Sequence, residues 1–159
     1  MSRRPSPLDT EKCRQCTSFS EYVKMAGRRT SDDEGGVSST TEPQRTDCPL
    51  DKEELGRASW GLLHTMAAKF PEKPSKTEQK NMTNFFHLFS KFYPCDYCAE
   101  DFRKELQSDP PQTSSQEALS QWLCRIHNRV NNKLGKDEFD CSKVNERWRD
   151  GWLDGSCDY

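Results

Sequence analysis

The chain has 159 residues, 31% of them charged and 31% apolar, with a net charge of −2 and a mean hydropathy of −1.06. A pI near 6.0 removes the electrostatic basis for nucleic-acid binding, and no apolar run is long enough to cross a membrane. So polar a chain has room for one domain plus a tail, and its eight cysteines offer covalent support for a modest core. No apolar stretch follows Met1, so no ordinary secretory signal is expected. Many cysteines without an export signal mean either metal-bound thiols in a reducing compartment or an oxidising compartment reached by another route.

Residues 1–47 read as a disordered N-terminal tail. Their eight basic and eight acidic residues cancel, and Thr30 to Thr46 is dominated by Ser, Thr, Gly, Asp, Glu and Pro, a linker composition. One island stands out: Cys13 and Cys16 form a C-x-x-C pair, followed by Phe19, Tyr22 and Val23 at helical spacing. It reads as a docking and exchange element, the alternative being an accidental thiol pair.

The folded region is predicted to be residues 48–159. Asp51 with Glu54 caps a first helix carrying Leu55, Ala58, Ser59, Leu62, Leu63, Met66 and Ala67, stopped by Pro71. Ser75 or Thr77 caps a second, with Met82, Phe85, Phe86, Phe89 and Phe92 on its apolar side. A third short helix starts at the pair Cys95–Cys98, directly after Pro94, and fades by Gln107. Pro110-Pro111 marks a connector. Ser114 with Glu117 predicts the cap of a fourth helix (Leu119, Trp122, Leu123, Ile126, Val130, Leu134), which Gly135 ends. A last short helix is expected from about Ser142 to Trp148. With no strand alternation anywhere, the fold class is all-α, a four-helix bundle plus a short fifth helix.

Two sulfurs at a helix start suit redox work, because the unpaired N–H groups there favour a thiolate. The same spacing is half of a zinc site, and Cys95, Cys98, Cys124 and His127 could form a C-x-x-C…C-x-x-H ligand set. The long gap between the halves weighs against zinc, as do the three cysteines it leaves without a role. The fourth helix also places Cys124, His127, Asn128 and Asn131 on one face, followed by Lys133 and Lys136. Trp60 and His64 lie one turn apart, after Gly56-Arg57, and Arg147-Trp148 lies near the end. Rings, amide groups and cations in this pattern suit a heteroaromatic dinucleotide, and beside a thiol pair they suggest a flavin. Singly, each has a plainer reading: Trp60 as core, His64 as a satisfied buried histidine, the asparagines as a solvated face.

Cys48-Pro49, Glu54-Leu55-Gly56-Arg57 with Ser59-Trp60 and His64, Tyr93-Pro94-Cys95-Asp96-Tyr97-Cys98, Trp122 through Asn131 and Phe139-Asp140-Cys141 closely resemble the ALR/Erv family of FAD-dependent sulfhydryl oxidases. The resemblance spans residues 48–158 and extends to the tail pair. It implies that Cys95–Cys98 is the active disulfide, with Cys98 next to the flavin and Cys95 the outer, exchanging thiol. It implies a structural bridge Cys124–Cys141, an intersubunit bridge between Cys48 and Cys157 in a head-to-tail homodimer, and a redox shuttle at Cys13–Cys16. FAD would be held by Gly56, Arg57, Ser59, Trp60, His64, Tyr93, Cys124, His127, Asn128, Val130, Asn131, Lys133, Lys136, Arg147 and Trp148.

The implied activity is oxidation of protein dithiols. Electrons would come from a reduced C-x-x-C-type import oxidoreductase of the mitochondrial intermembrane space and pass to oxygen or cytochrome c. The cytosol is a second address. A linker as long as that between Cys16 and Cys48 has an r.m.s. span of roughly 30 Å, enough for an intramolecular shuttle. Non-enzymatic alternatives are a zinc-binding module or a growth-factor-like interaction module.

Overall fold

Short polar side chains set where each helix begins. The computed structural model describes residues 48–157; Cys13, Cys16 and the remainder of the predicted tail lie outside the described residues. The described residues fall into two units, the first ending at Arg57 and the second beginning at Ala58, with the division inside the first helix.

Helix α1 spans Lys52–Ala68. The Asp51 carboxylate accepts the N–H groups of Glu53 and Glu54 at 2.9 and 2.8 Å, and Glu54 accepts the Asp51 N–H at 2.9 Å. This reciprocal box satisfies amides that a helix start would otherwise leave open. Helix α2 spans Lys76–Phe92 and carries the same device, with Ser75 rather than Thr77 as its cap and Glu78 returning the bond. Helix α3 spans Asp96–Ser108 with Cys95 at its cap.

Helix α4 spans Gln116–Lys133, and here the structure corrects the sequence reading: Ser115, not Ser114, is the cap, its hydroxyl accepting the Ala118 N–H. With the cap one residue later, Glu117 no longer falls at the reciprocal position. Its carboxylate instead accepts the side-chain amide of Asn145 at 3.0 Å.

Gly135 ends α4 at φ +66°, a conformation that favours glycine. The Gly135 and Lys136 amides bond back to the carbonyls of Asn132 and Asn131. The predicted last helix is a 3-10 turn, Cys141–Lys143, running into a π-helical turn, Glu146–Asp150. Among the described residues the fold is helical throughout, with no strand.

The second unit's core is Leu63, Ala67 and Phe70 with Phe86, Phe102, Leu106, Leu119, Trp122, Leu123 and Ile126. Full burial of such side chains contributes about 1.5–3 kcal/mol each. Trp122 is wholly buried, edge-on to Phe86 at 4.8 Å, and its indole N–H donates to the Asp109 carbonyl at 3.0 Å. Three large side chains read as apolar-face residues are exposed rather than buried: Leu62, Phe92 and Leu134, at 57%, 80% and 53%. Leu134 caps α4 beside the glycine turn, and Phe92 is the last residue of α2, where no following turn covers it.

A row of ion pairs fastens α3 to α4. Arg129 bonds Glu105 and Asp109, both at 2.9 Å, and Lys133 bonds Glu105 and Asp101, both at 2.7 Å. Burial alone would raise the Glu105 pKa, but hydrogen bonds from Lys133 and Arg129 outweigh it and hold the carboxyl below its ordinary 4.5. A depressed carboxylate adds stability above its ordinary pKa that disappears as pH falls through the folded value. Glu105→Gln is therefore expected to lower stability at pH 7 by on the order of 1 kcal/mol, the cations being 41% and 46% exposed and partly screened. Thermal denaturation of the variant should also show a shallower decline below pH 4.5 than the parent chain.

Candidate functional site

Pro94 cannot continue α2, and the chain turns into α3 through Cys95. Cys95 takes the extended cap conformation, φ −98° and ψ 101°, and its sulfur accepts the Cys98 N–H at 3.4 Å. The two residues are joined as a disulfide, their Cα atoms 5.3 Å apart. Cys95 is 1% exposed, whereas Cys98 is half-buried. Burial runs against the outer position that the resemblance gives to Cys95. Leu88, Phe92 and Tyr97, on either side of Cys95 in the sequence, are 51%, 80% and 76% exposed.

A second disulfide, Cys124–Cys141, joins α4 to the 3-10 turn with Cα atoms 5.8 Å apart. Three of the four members of the alternative zinc set thus sit in disulfides, so their thiolates are not free to bind metal. Asn128 reinforces the junction. Its amide nitrogen donates to the Phe139 carbonyl at 2.8 Å, and its oxygen accepts the Phe139 N–H at 2.9 Å. Gln121 donates to the Cys141 carbonyl at 3.0 Å.

These ties bring the C-terminal segment against α1 and α4, where four rings form one array. Trp60 stacks on His127 with centroids 4.0 Å apart and planes 6° from parallel; His64 stacks on Trp148 at 4.8 Å and 6°. The two stacks are joined by a hydrogen bond between His64 Nε2 and His127 Nδ1, 3.0 Å long. Phe102 meets Trp60 edge-on at 6.5 Å, and the Arg147 guanidinium lies over the Trp148 ring at 4.8 Å. His64 is 3% exposed, and its Nδ1 is buried without a hydrogen-bond partner among the described residues. Burial, then His127 and Arg147, lower the His64 pKa from 6.5 to about 3. Burial and Lys136 lower that of His127 to about 4. Both imidazoles are neutral at pH 7.

The other sequence-nominated residues distribute unevenly. Ser59 is half-buried on α1 beside Trp60, and Val130 and Asn131 are half-buried on α4, one turn beyond His127. Tyr93 caps the end of α2, its ring 5.2 Å from Phe89. Lys133 is engaged with Asp101 and Glu105 of α3 rather than standing free for an anion. Gly56 and Arg57 lie on α1 within the first unit. Cys48 and Cys157 are free thiols, exposed and half-buried respectively.

Sequence reading missed the polar network that holds the C-terminal turn. Gln116 donates to Asn145 at 2.9 Å and accepts from Arg149 at 3.1 Å. Phe102, legible in sequence as part of the third helix's apolar pattern with Ala99 and Leu106, was not assigned to the site, although it packs on Trp60.

A helical bundle with a disulfide at the N-terminus of one helix, beside an array of neutral rings, defines a small all-α thiol–disulfide protein. The chain belongs to the Erv1/Alr family, whose sequence model matches residues 57–149. It is 47% identical over 104 residues to the mitochondrial FAD-linked sulfhydryl oxidase ERV1 of Saccharomyces cerevisiae, covering 65% of this chain and 55% of that one. It is 38% identical over 148 residues to the mitochondrial FAD-linked sulfhydryl oxidase erv1 of Schizosaccharomyces pombe, covering 81% of each. The fold matches the crystal structure of the yeast Erv1 core with a TM-score of 0.67 and 43% identity, over 74% of this chain and 99% of that one. It also matches the FAD-binding domain of Erv1 from Saccharomyces cerevisiae, with a TM-score of 0.64, 46% identity and coverage of 65% and 99%. Against several of the curated relatives it matches, the chain spans only a little over half of their length. Among the described residues, no helix is long and apolar enough to cross a membrane.

Histidines kept neutral by burial make stability depend on pH. The unfolded chain takes up protons near pH 6.5 that the folded chain refuses until about 4 and about 3, so stability falls as pH drops below 6.5. Denaturation midpoints measured between pH 7 and 4.5 should fall for the parent chain. They should fall less steeply for His127→Gln, which removes one of the two refusals.

Proposed function

We infer that the chain is an FAD-linked sulfhydryl oxidase, which converts protein dithiols into disulfides. The observation that carries this reading is the Cys95–Cys98 disulfide at the start of α3 in a chain of the Erv1/Alr family. The ring array supports FAD as the cofactor. It offers flat aromatic surfaces, a buried nitrogen on His64 that lacks a protein partner, and cations at Arg147 and Lys136 suited to phosphates. Trp60, His64, His127, Asn131, Lys136, Arg147 and Trp148 would hold it, with Gly56, Arg57, Ser59, Tyr93 and Val130 as further contacts. Cys124 and Asn128 fix the position of α4 through the Cys141 and Phe139 junction. Bound FAD would supply the two-electron acceptor.

The chain's own part is thiol–disulfide exchange. A substrate thiolate attacks one sulfur of Cys95–Cys98; the S–S bond breaks, a mixed disulfide forms, and one cysteine leaves as thiolate. The substrate's second thiolate then attacks the mixed disulfide. The substrate leaves oxidised, and Cys95 and Cys98 are left as the reduced pair. The open N–H groups of α3 stabilise negative charge on Cys95 at the cap. Exposed Leu88, Phe92 and Tyr97 favour a protein rather than a small molecule as the dithiol donor.

By this reading the donor is a reduced C-x-x-C-type import oxidoreductase in the mitochondrial intermembrane space, and oxygen or cytochrome c receives the electrons. Cys13–Cys16 relays electrons from donor to core, and Cys48–Cys157 bridges link two chains head to tail.

Purified protein is expected to be yellow, and Cys98→Ser to lose at least about 100-fold in dithiol oxidation followed by thiol titration. Near-normal turnover in that variant, or a colourless active protein, would sink the proposal. Replacing Cys13 and Cys16 together by Ser should leave oxidation of a small dithiol unchanged while slowing that of a protein dithiol. Equal rates on both substrates relative to the parent would remove the shuttle.

A further inference from the structure

The bond between His64 and His127 constrains both rings beyond their stacking. A neutral imidazole carries one N–H and one bare nitrogen. For His64 Nε2 and His127 Nδ1 to bond at 3.0 Å, one must carry hydrogen and the other must not. Two bare nitrogens, or two N–H groups, would face each other with the bond unmade. If His64 donates, its proton is on Nε2 and its Nδ1 is bare; His127 then accepts at Nδ1 and holds its proton on Nε2. If His127 donates, both rings carry their protons on Nδ1. Only matched tautomers make the bond.

A protonated ring would also satisfy the contact, but the surroundings oppose charge. Arg147 faces His64 and Lys136 faces His127 as like charges. Phe102 of α3, near-perpendicular to Trp60, adds no charge, and the flanking stacking partners are indoles.

We propose that His64 and His127 are a tautomer-locked positioning pair, in which the hydrogen-bonding demand of a group bound at His64 Nδ1 fixes the polarity of His127 Nε2. The far end of the pair is then an acceptor when the near end donates, and a donor when the near end accepts. The buried Nδ1 of His64, without a partner among the described residues, is the input. The bond between α1 and α4 is the link, and the less buried His127 is the output. A concerted shift between the two matched states moves one proton in at one end and one out at the other, with no net charge left in the apolar site. That FAD is the group at the input rests on the proposed function; the matching of the tautomers does not.

The chain has three histidines, and the third, His87, is exposed on α2. In the 159-residue chain carrying His87→Gln, long-range 15N correlation spectra at pH 7 therefore report this pair alone. Two neutral rings protonated at the same position, both Nδ1 or both Nε2, are expected. Unlike tautomers, or a doubly protonated ring, overturn the proposal. The spectra are then compared before and after loading with FAD. A change in the tautomer population of both rings together supports the link, whereas a change in one ring alone, or in neither once FAD is bound, overturns it. Should the protein fail to bind FAD at all, the oxidase reading falls, while the first spectra still decide whether the pair is locked.

Discussion

Everything that α3 contributes depends on how its first turn is closed. A helix start leaves amide N–H groups without partners, and an oxygen from Ser, Asp or Thr usually takes one of them. Here the acceptor is the sulfur of Cys95, which bonds the Cys98 amide and is itself half of the disulfide. Sulfur is a weak acceptor when neutral and a strong one when it carries charge. The cap is thus at its weakest in the oxidised state and gains strength when the S–S bond opens on to Cys95. Chemistry at this disulfide is coupled to the stability of the turn that holds it.

Such a site needs α3 held still against its neighbours while its first turn changes. The ion pairs from Arg129 and Lys133 to Asp101, Glu105 and Asp109 lie along the body of α3, away from its sulfurs. They anchor the helix to α4, the element that also carries His127 and Cys124. Phe102, buried one turn beyond Cys98, completes the attachment by packing on Phe86, Phe89 and Trp60. Charge on α3 is thus paired with Arg129 and Lys133 near the end of α4, while the one α4 ring in the array, His127, is neutral.

Helix number, helix order and the disulfide's place at a helix start were legible because each rests on local signals: a 3.6-residue repeat, a Ser or Asp cap, a proline after a helix. The cap of α4 was misread by one residue because Ser114 and Ser115 are equivalent by type. Only Asn145, twenty-eight residues away, shows that Glu117 is taken elsewhere. Lys133 looked available for an anion because its partners, Asp101 and Glu105, sit on another helix. Burial of Cys95 and exposure of Phe92 are likewise properties of how helices meet. Pairing between His64 and His127 could not be read at all, since the residues are sixty-three apart and nothing in either local pattern points to the other.

Neutrality is what allows four rings to gather where cations are also present. A charged imidazole between Trp148 and its partner histidine would lose hydration and be repelled by Arg147; a neutral one stacks freely and still offers two nitrogens for hydrogen bonds. Desolvation of the ring pair therefore acts twice. It removes the charged state that would split the stacks, and it makes the one remaining hydrogen bond between the rings costly to break. An aqueous pair of the same residues would have neither property. The polar network that Gln116 makes with both Asn145 and Arg149 keeps the C-terminal turn, and with it Trp148 on His64, in place, so water exclusion at the pair depends on contacts made well outside it.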